Sequence, residues 1–147
     1  MRIAEEHRRR WMVAGLSAVI FGLLLAAAAC DDSQDRRARV ARNIFNANCS
    51  GCHGSIEAGE PPRTLPGVEV QPPDLRTLAR RWGLPLDRER MTRYIDGRAD
   101  VAAHGSRTMP VWGDRLYADW PQSDNREAAR AGTIELLVEY LETVQLD

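Results

Sequence analysis

The pattern of apolar and polar positions changes character once along the chain, near residue 30. From Trp11 to Ala29, nineteen consecutive residues carry no charge. The run follows His7-Arg8-Arg9-Arg10 and leads into Asp31-Asp32-Ser33-Gln34-Asp35. A basic flank, an apolar run and an acidic exit orient a membrane segment with its N-terminus in the cytoplasm. Residues 31–147 are therefore expected on the outer, periplasmic side.

Beyond residue 31 the apolar positions recur at helical spacing, in short stretches. Val40, Ile44 and Phe45 predict one face of a helix from Asp35 to Asn48, with Arg36, Arg37, Arg39 and Arg42 on its solvated side. The pattern then breaks from Gly54 to Pro73, where Gly59, Pro61, Pro62, Pro66, Gly67, Pro72 and Pro73 crowd together. A loop of that length in a compact domain is expected to wrap something. Asp74 is read as the cap of a short helix through Arg81, with Leu75 and Leu78 facing inward. Asp87 caps the next, whose Met91, Tyr94 and Ile95 form a core face before Gly97 stops it. Arg98 to Asn125 reads as irregular. Ile134, Leu137, Val138 and Leu141 mark the last helix, with its start placed at Gly132-Thr133. No segment alternates over strand length, so the fold class is all-α: short helices separated by long loops.

Charge narrows the partners. Residues 31–147 carry 16 Arg against 19 Asp and Glu, a formal −3, and the chain has no Lys. A mildly acidic, mixed surface gives no reason to expect nucleic acid. Three cysteines are an odd number for an exported chain, and each needs an assignment. Cys30 ends the apolar run, and three readings fit residues 1–30. They form an uncleaved anchor of just sufficient length, or a signal peptide cut after Ala27-Ala28-Ala29. Alternatively, Leu25 to Cys30 resembles a bacterial lipoprotein signal, with Cys30 the lipidated residue. Lipidation is the reading that gives Cys30 a use, and lipid or helix alike would keep the domain at the membrane.

Cys49 and Cys52 are a pair, and His53 follows directly. Two thiols three positions apart can each add across one vinyl group of a haem, and the next residue then lies under the porphyrin face. One turn of chain thereby makes three bonds to one cofactor, a single covalent haem c. A thioredoxin-like Cys-x-x-Cys needs a βαβ context that is missing here. Structural zinc needs four ligands, and only His7, His53 and His104 accompany the three cysteines; with Cys30 and His7 tied to the membrane segment, a second Cys or His pair is missing. For the sixth position on iron, Met109 stands out. It lies in a loop, and Pro110 restricts it to extended conformations suited to a rigid strap. A thioether there would suit electron transfer. Met91 reads as core, and His104 is the rival ligand, with a solvated loop histidine as its simpler reading.

These residues resemble the class I c-type cytochromes over residues 36–147. The resemblance is carried by Ile44-Phe45-x-x-x-Cys49-x-x-Cys52-His53-Gly54, by Met109-Pro110-Val111-Trp112-Gly113 and by Leu137-Val138-Glu139-Tyr140-Leu141. It implies a cytochrome c-like fold whose first and last helices cross, bringing Phe45 near Tyr140 with Ala41 at the close contact. It also implies a proline carbonyl accepting the axial imidazole N–H, a position that Pro62 matches best and Pro61 next. Trp112 is expected beside the macrocycle or in the core, and Arg98 and Arg107 are candidate propionate partners. The expected activity is electron transfer to redox partners of a respiratory chain or a periplasmic dehydrogenase, without catalysis on this chain. Two competing readings are an electron-transfer subunit of a larger dehydrogenase or oxidase complex, and a haem sensor or peroxidase with a displaceable sixth ligand.

Overall fold

The computed structural model describes residues 32–67, 70–98 and 109–146. Residues 1–31, with Cys30 and the apolar run, lie outside the described residues, as do His104 and Arg107. The chain divides into two compact units, residues 1–37 and residues 38–147. Of the first, residues 32–37 are described; they are helical, and Arg36 donates to Asp32 at 2.9 Å. Everything else belongs to the second unit.

That unit contains helices and connecting loops, with no strand among the described residues. Its helices are α1 (residues 38–48), α2 (Ser50–His53), α3 (Leu78–Trp82, preceded by a 3-10 turn, Leu75–Thr77), α4 (Arg88–Asp96), α5 (Trp112–Arg115) and α6 (Asp124–Thr143). Phe45, Met91, Ile134 and Val138 are the largest fully buried side chains. Around them pack Ala41, Leu78, Leu86, Ile95, Leu137, Tyr140 and Leu141. Phe45 and Tyr140 meet with ring centroids 5.6 Å apart and planes tilted by 57°, so α1 and α6 touch there through these two rings. Ala41 is buried one turn earlier on α1. Val40, expected on the inner face, is exposed; the buried stripe of α1 runs through Ala41 and Phe45, a strict i, i+4 pair.

Local chemistry sets most helix ends. The Asp74 carboxylate accepts from Arg76 N at 2.9 Å, capping the 3-10 turn. The Asp87 carboxylate accepts from Arg90 N at 2.9 Å, and Gly97 takes a left-handed φ of 71° to close α4. The start of α6 departs from expectation. It begins at Asp124, with Ser123 Oγ accepting from Arg126 N at 3.3 Å and Asp124 and Glu127 in the first turn. Its first turns bury Arg126 and Arg130 where apolar side chains would have marked the helix. The segment read as irregular also contains α5, which packs against α4.

Candidate functional site

The site grows from the junction of α1 and α2. Cys49 N donates to Phe45 O at 2.8 Å, and Cys49 O then accepts from Cys52 N at 3.1 Å and His53 N at 2.9 Å. The carbonyl that receives the next bonds therefore belongs to the first cysteine, and Cys49, Cys52 and His53 share one helical turn. Gly54 N closes the turn on Ser50 O at 3.0 Å with φ 77°, a conformation that favours glycine. Both thiols are free and half-buried. Burial pushes the Cys49 thiol up to about 11, and the neighbouring Cys52 adds to the rise, so Cys49 is a neutral thiol at pH 7.

Downstream, the chain folds back on this turn. Glu60 N donates to Ser55 O at 2.9 Å and Arg63 N to Cys52 O at 2.9 Å. The carbonyls of Glu60 and Pro61 consequently lie against Gly54, in space that any Cβ would enter. This tight return holds Pro61 and Pro62 beside the helix end. The imidazole contact comes from further along: His53 Nδ1 lies 2.9 Å from the carbonyl of Pro73, not that of Pro62. A carbonyl only accepts, so Nδ1 carries the proton and Nε2 keeps its lone pair for a metal. Burial lowers the His53 pKa, with the Pro73 hydrogen bond opposing, which favours the neutral imidazole. Pro62 is half-buried and plays no part in that bond.

Met109 and Trp112 are half-buried and pack on the same core as Cys49, Ile56 and Leu75. Met91, by contrast, is a core residue with 2% of its surface exposed. Arg98 is engaged elsewhere: it donates to both oxygens of Asp96, at 2.7 and 2.8 Å, and to Glu127 at 3.0 Å. It therefore belongs to an ion-pair cluster tying the end of α4 to the first turns of α6, where Glu127 also pairs with Arg130. Asp96 and Arg98 sit directly against Gly113, where an added Cβ would lie 2.5 Å from Arg98 Nε, so the cluster also touches α5.

Two contributors were missed by sequence reasoning. Pro73 carried a signal, since it stands immediately before the capping Asp74 and is thus placed by a fixed turn. Gln145 carried none. Its amide accepts from Ala79 N at 2.9 Å and donates to Leu75 O at 2.9 Å, joining the segment after α6 to the turn after Pro73.

The donor set suits a haem attached by thioethers. Two thiols and an imidazole lie on one turn, the imidazole tautomer leaves Nε2 available, and Cys49 packs on the same core as the half-buried Met109 and Trp112. Cys49 and Cys52 would hold its vinyl carbons and His53 its iron; when bound, the group supplies a one-electron Fe(II)/Fe(III) couple. Among the described residues no cluster of three or more His, Cys, Asp and Glu suggests another metal site.

Comparison with known proteins agrees with this chemistry. Residues 36–120, more than half of the chain, match the family described as cytochrome c oxidase, cbb3-type, subunit III. No curated protein and no solved structure matches. The motif turn, the strandless helical fold and the extent of the match together place the chain in that family of class I c-type cytochromes, haem-based electron-transfer proteins whose haem c is covalently bound.

Proposed function

We propose that this protein is a mono-haem electron carrier held at the periplasmic face of the bacterial inner membrane, with His53 and Met109 as axial ligands. The observation that carries the proposal is the His53–Pro73 hydrogen bond at 2.9 Å on the same turn as both thiols. It orients the ring and strengthens its donation to iron. Met109, braced by Pro110, would complete the coordination, and two fixed ligands retained in both oxidation states keep rearrangement during transfer small. The apolar run and Cys30 would restrict the domain to the membrane surface, by a helix or by lipid, raising its local concentration near respiratory partners.

The decisive experiment compares wild type with Met109→Ala, each purified from membranes. Wild type is expected to carry one haem per chain, show a methionine–iron absorption band and ignore carbon monoxide. The variant should lose the band, fall in potential and bind carbon monoxide. Ready carbon monoxide binding by wild type would favour a sensor or peroxidase and reject the carrier. Intact mass of the same sample reports whether Cys30 carries lipid.

A second reading has its own support. The matched family is described as an oxidase subunit, so the domain would pass electrons within a complex whose chemistry lies on another chain. Co-purification with a catalytic subunit after mild solubilisation supports this reading. Migration as a lone species that exchanges electrons with a soluble donor supports the independent carrier.

A further inference from the structure

Gln145 lies just beyond α6, far in sequence from the attachment turn, yet its side chain is woven into the segment that delivers the carbonyl to His53. Its Oε1 accepts from Ala79 N at 2.9 Å, while Nε2 donates to Leu75 O at 2.9 Å and Leu141 O at 2.6 Å. The next residue adds a fourth link, Leu146 N to Arg76 O at 2.8 Å. The 3-10 turn and the start of α3 are thereby tied to the end of α6 at Leu75, Arg76 and Ala79. A primary amide suits this place because it accepts once and donates twice.

The tied segment begins two residues after the histidine's partner, with only Asp74 between them. Asp74 follows Pro73, and its conformation is set from within the turn. Its carboxylate accepts from Arg76 N at 2.9 Å and Arg76 Nη2 at 2.7 Å, and its carbonyl from Thr77 Oγ1 at 2.9 Å. Pro73 itself has a ring-restricted φ. The direction of the Pro73 carbonyl is consequently determined by where the Asp74–Ala79 turn sits, and Gln145 helps determine that.

We propose that Gln145 is a positioning residue for the iron-ligating His53, acting through the Leu75–Ala79 turn and the Pro73 carbonyl. The inference rests on His53 being the iron ligand. A well-directed carbonyl draws electron density onto the imidazole and favours ferric iron; a displaced one relaxes that preference. Removing the Gln145 amide should therefore raise the reduction potential without changing either axial ligand.

The test uses haem-loaded full-length protein and four samples: wild type, Gln145→Ala, Gln145→Glu and Asp87→Ala. Gln145→Glu keeps the size and the acceptor toward Ala79 but loses both donations, and it remains informative if the alanine variant folds poorly. Asp87→Ala removes the α4 cap and serves as a control for general destabilisation. Midpoint potential and solvent exchange of the His53 Nδ1–H, followed by NMR, are the readouts. Both Gln145 variants are expected to shift the potential upward, by up to tenfold in ferric preference or ~59 mV, and to speed exchange several-fold. Asp87→Ala should lower the melting temperature and leave both readouts in place. Unchanged potential and exchange in the Gln145 variants would overturn the proposal, as would an equal shift in Asp87→Ala. A wild-type spectrum without histidine ligation would overturn it together with the function on which it rests; normal ligation with unresponsive variants removes the role of Gln145 alone.

Discussion

One glycine lies within the attachment motif and another directly after it, and replacing each by alanine should give opposite results. Gly51 lies inside α2, and nothing stands within 4 Å of the position its Cβ would take. Alanine there exchanges a flexible helical residue for a good one, a gain of ~0.5–1 kcal/mol. Gly54 has φ 77° and ψ 165°, a region essentially reserved for glycine. Its Cβ would also enter the backbone of the returning loop, reaching the carbonyl oxygens of Glu60 and Pro61 and lying 2.8 Å from the Pro61 carbonyl carbon. Backbone atoms cannot swing aside as a side chain can. The loop that would have to move is held by Glu60 N to Ser55 O and Arg63 N to Cys52 O, both 2.9 Å.

The conformational part of Gly54→Ala costs ~1–3 kcal/mol, and the steric part a similar ~1–3 kcal/mol. A domain of this size loses several degrees of melting temperature per kcal/mol, so the fall should be ~10 °C or more. Gly51→Ala should rise by a few degrees. The assay is thermal unfolding by far-UV circular dichroism on samples matched for haem content per polypeptide. If Gly54→Ala melts within about 2 °C of wild type, the packing of the loop on Gly54 described above is wrong. The two variants falling together would point to a general sensitivity of the motif instead.

Two further outcomes are expected. The Tyr140 hydroxyl is buried without a hydrogen-bond partner among the described residues, so Tyr140→Phe should leave stability unchanged or raise it by up to ~1 kcal/mol, readable in a denaturant titration; a loss above ~2 kcal/mol would reveal a partner for that hydroxyl. The Asp96 carboxyl is held below its ordinary value, first by its hydrogen bond to Arg98. A carboxylate lowered in the folded state stabilises above its unfolded pKa and ceases to do so as acid protonates it. The melting-temperature gap between wild type and Asp96→Asn should thus be widest near neutral pH and shrink below about pH 4; a gap independent of pH would show that the ion pair contributes nothing.

What could be read without coordinates follows the range of the interactions involved. The α4 boundaries, Asp87 and Gly97, were legible because capping is decided within four residues. The Cys49–His53 turn was legible for the same reason: its hydrogen bonds span three or four positions. The inner face of α6 from Ile134 to Leu141 was read correctly, whereas its first turns were invisible to apolar periodicity because Arg126 and Arg130 occupy the buried stripe. Arg130 can be buried there because Glu127 pairs with it, and Arg126 because Trp120 O accepts from it at 3.2 Å.

The carbonyl partner of His53 shows where such reading ends. The resemblance points to Pro62, with Pro61 next, whereas the contact comes from Pro73 at the far end of the same loop. The outcome turned on the path of the chain: the loop first closes on Cys52 through Arg63 and only afterwards brings Pro73 back to His53, twenty residues downstream. That return is anchored by Gln145, from beyond the last helix. On the proposed assignment, the cofactor would be attached through five adjacent residues, while the orientation of the His53 imidazole would depend on contacts spread from Pro73 to Leu146. It follows that substitutions which spare the motif can still alter the redox behaviour of the domain, through the segment that aims the carbonyl at His53.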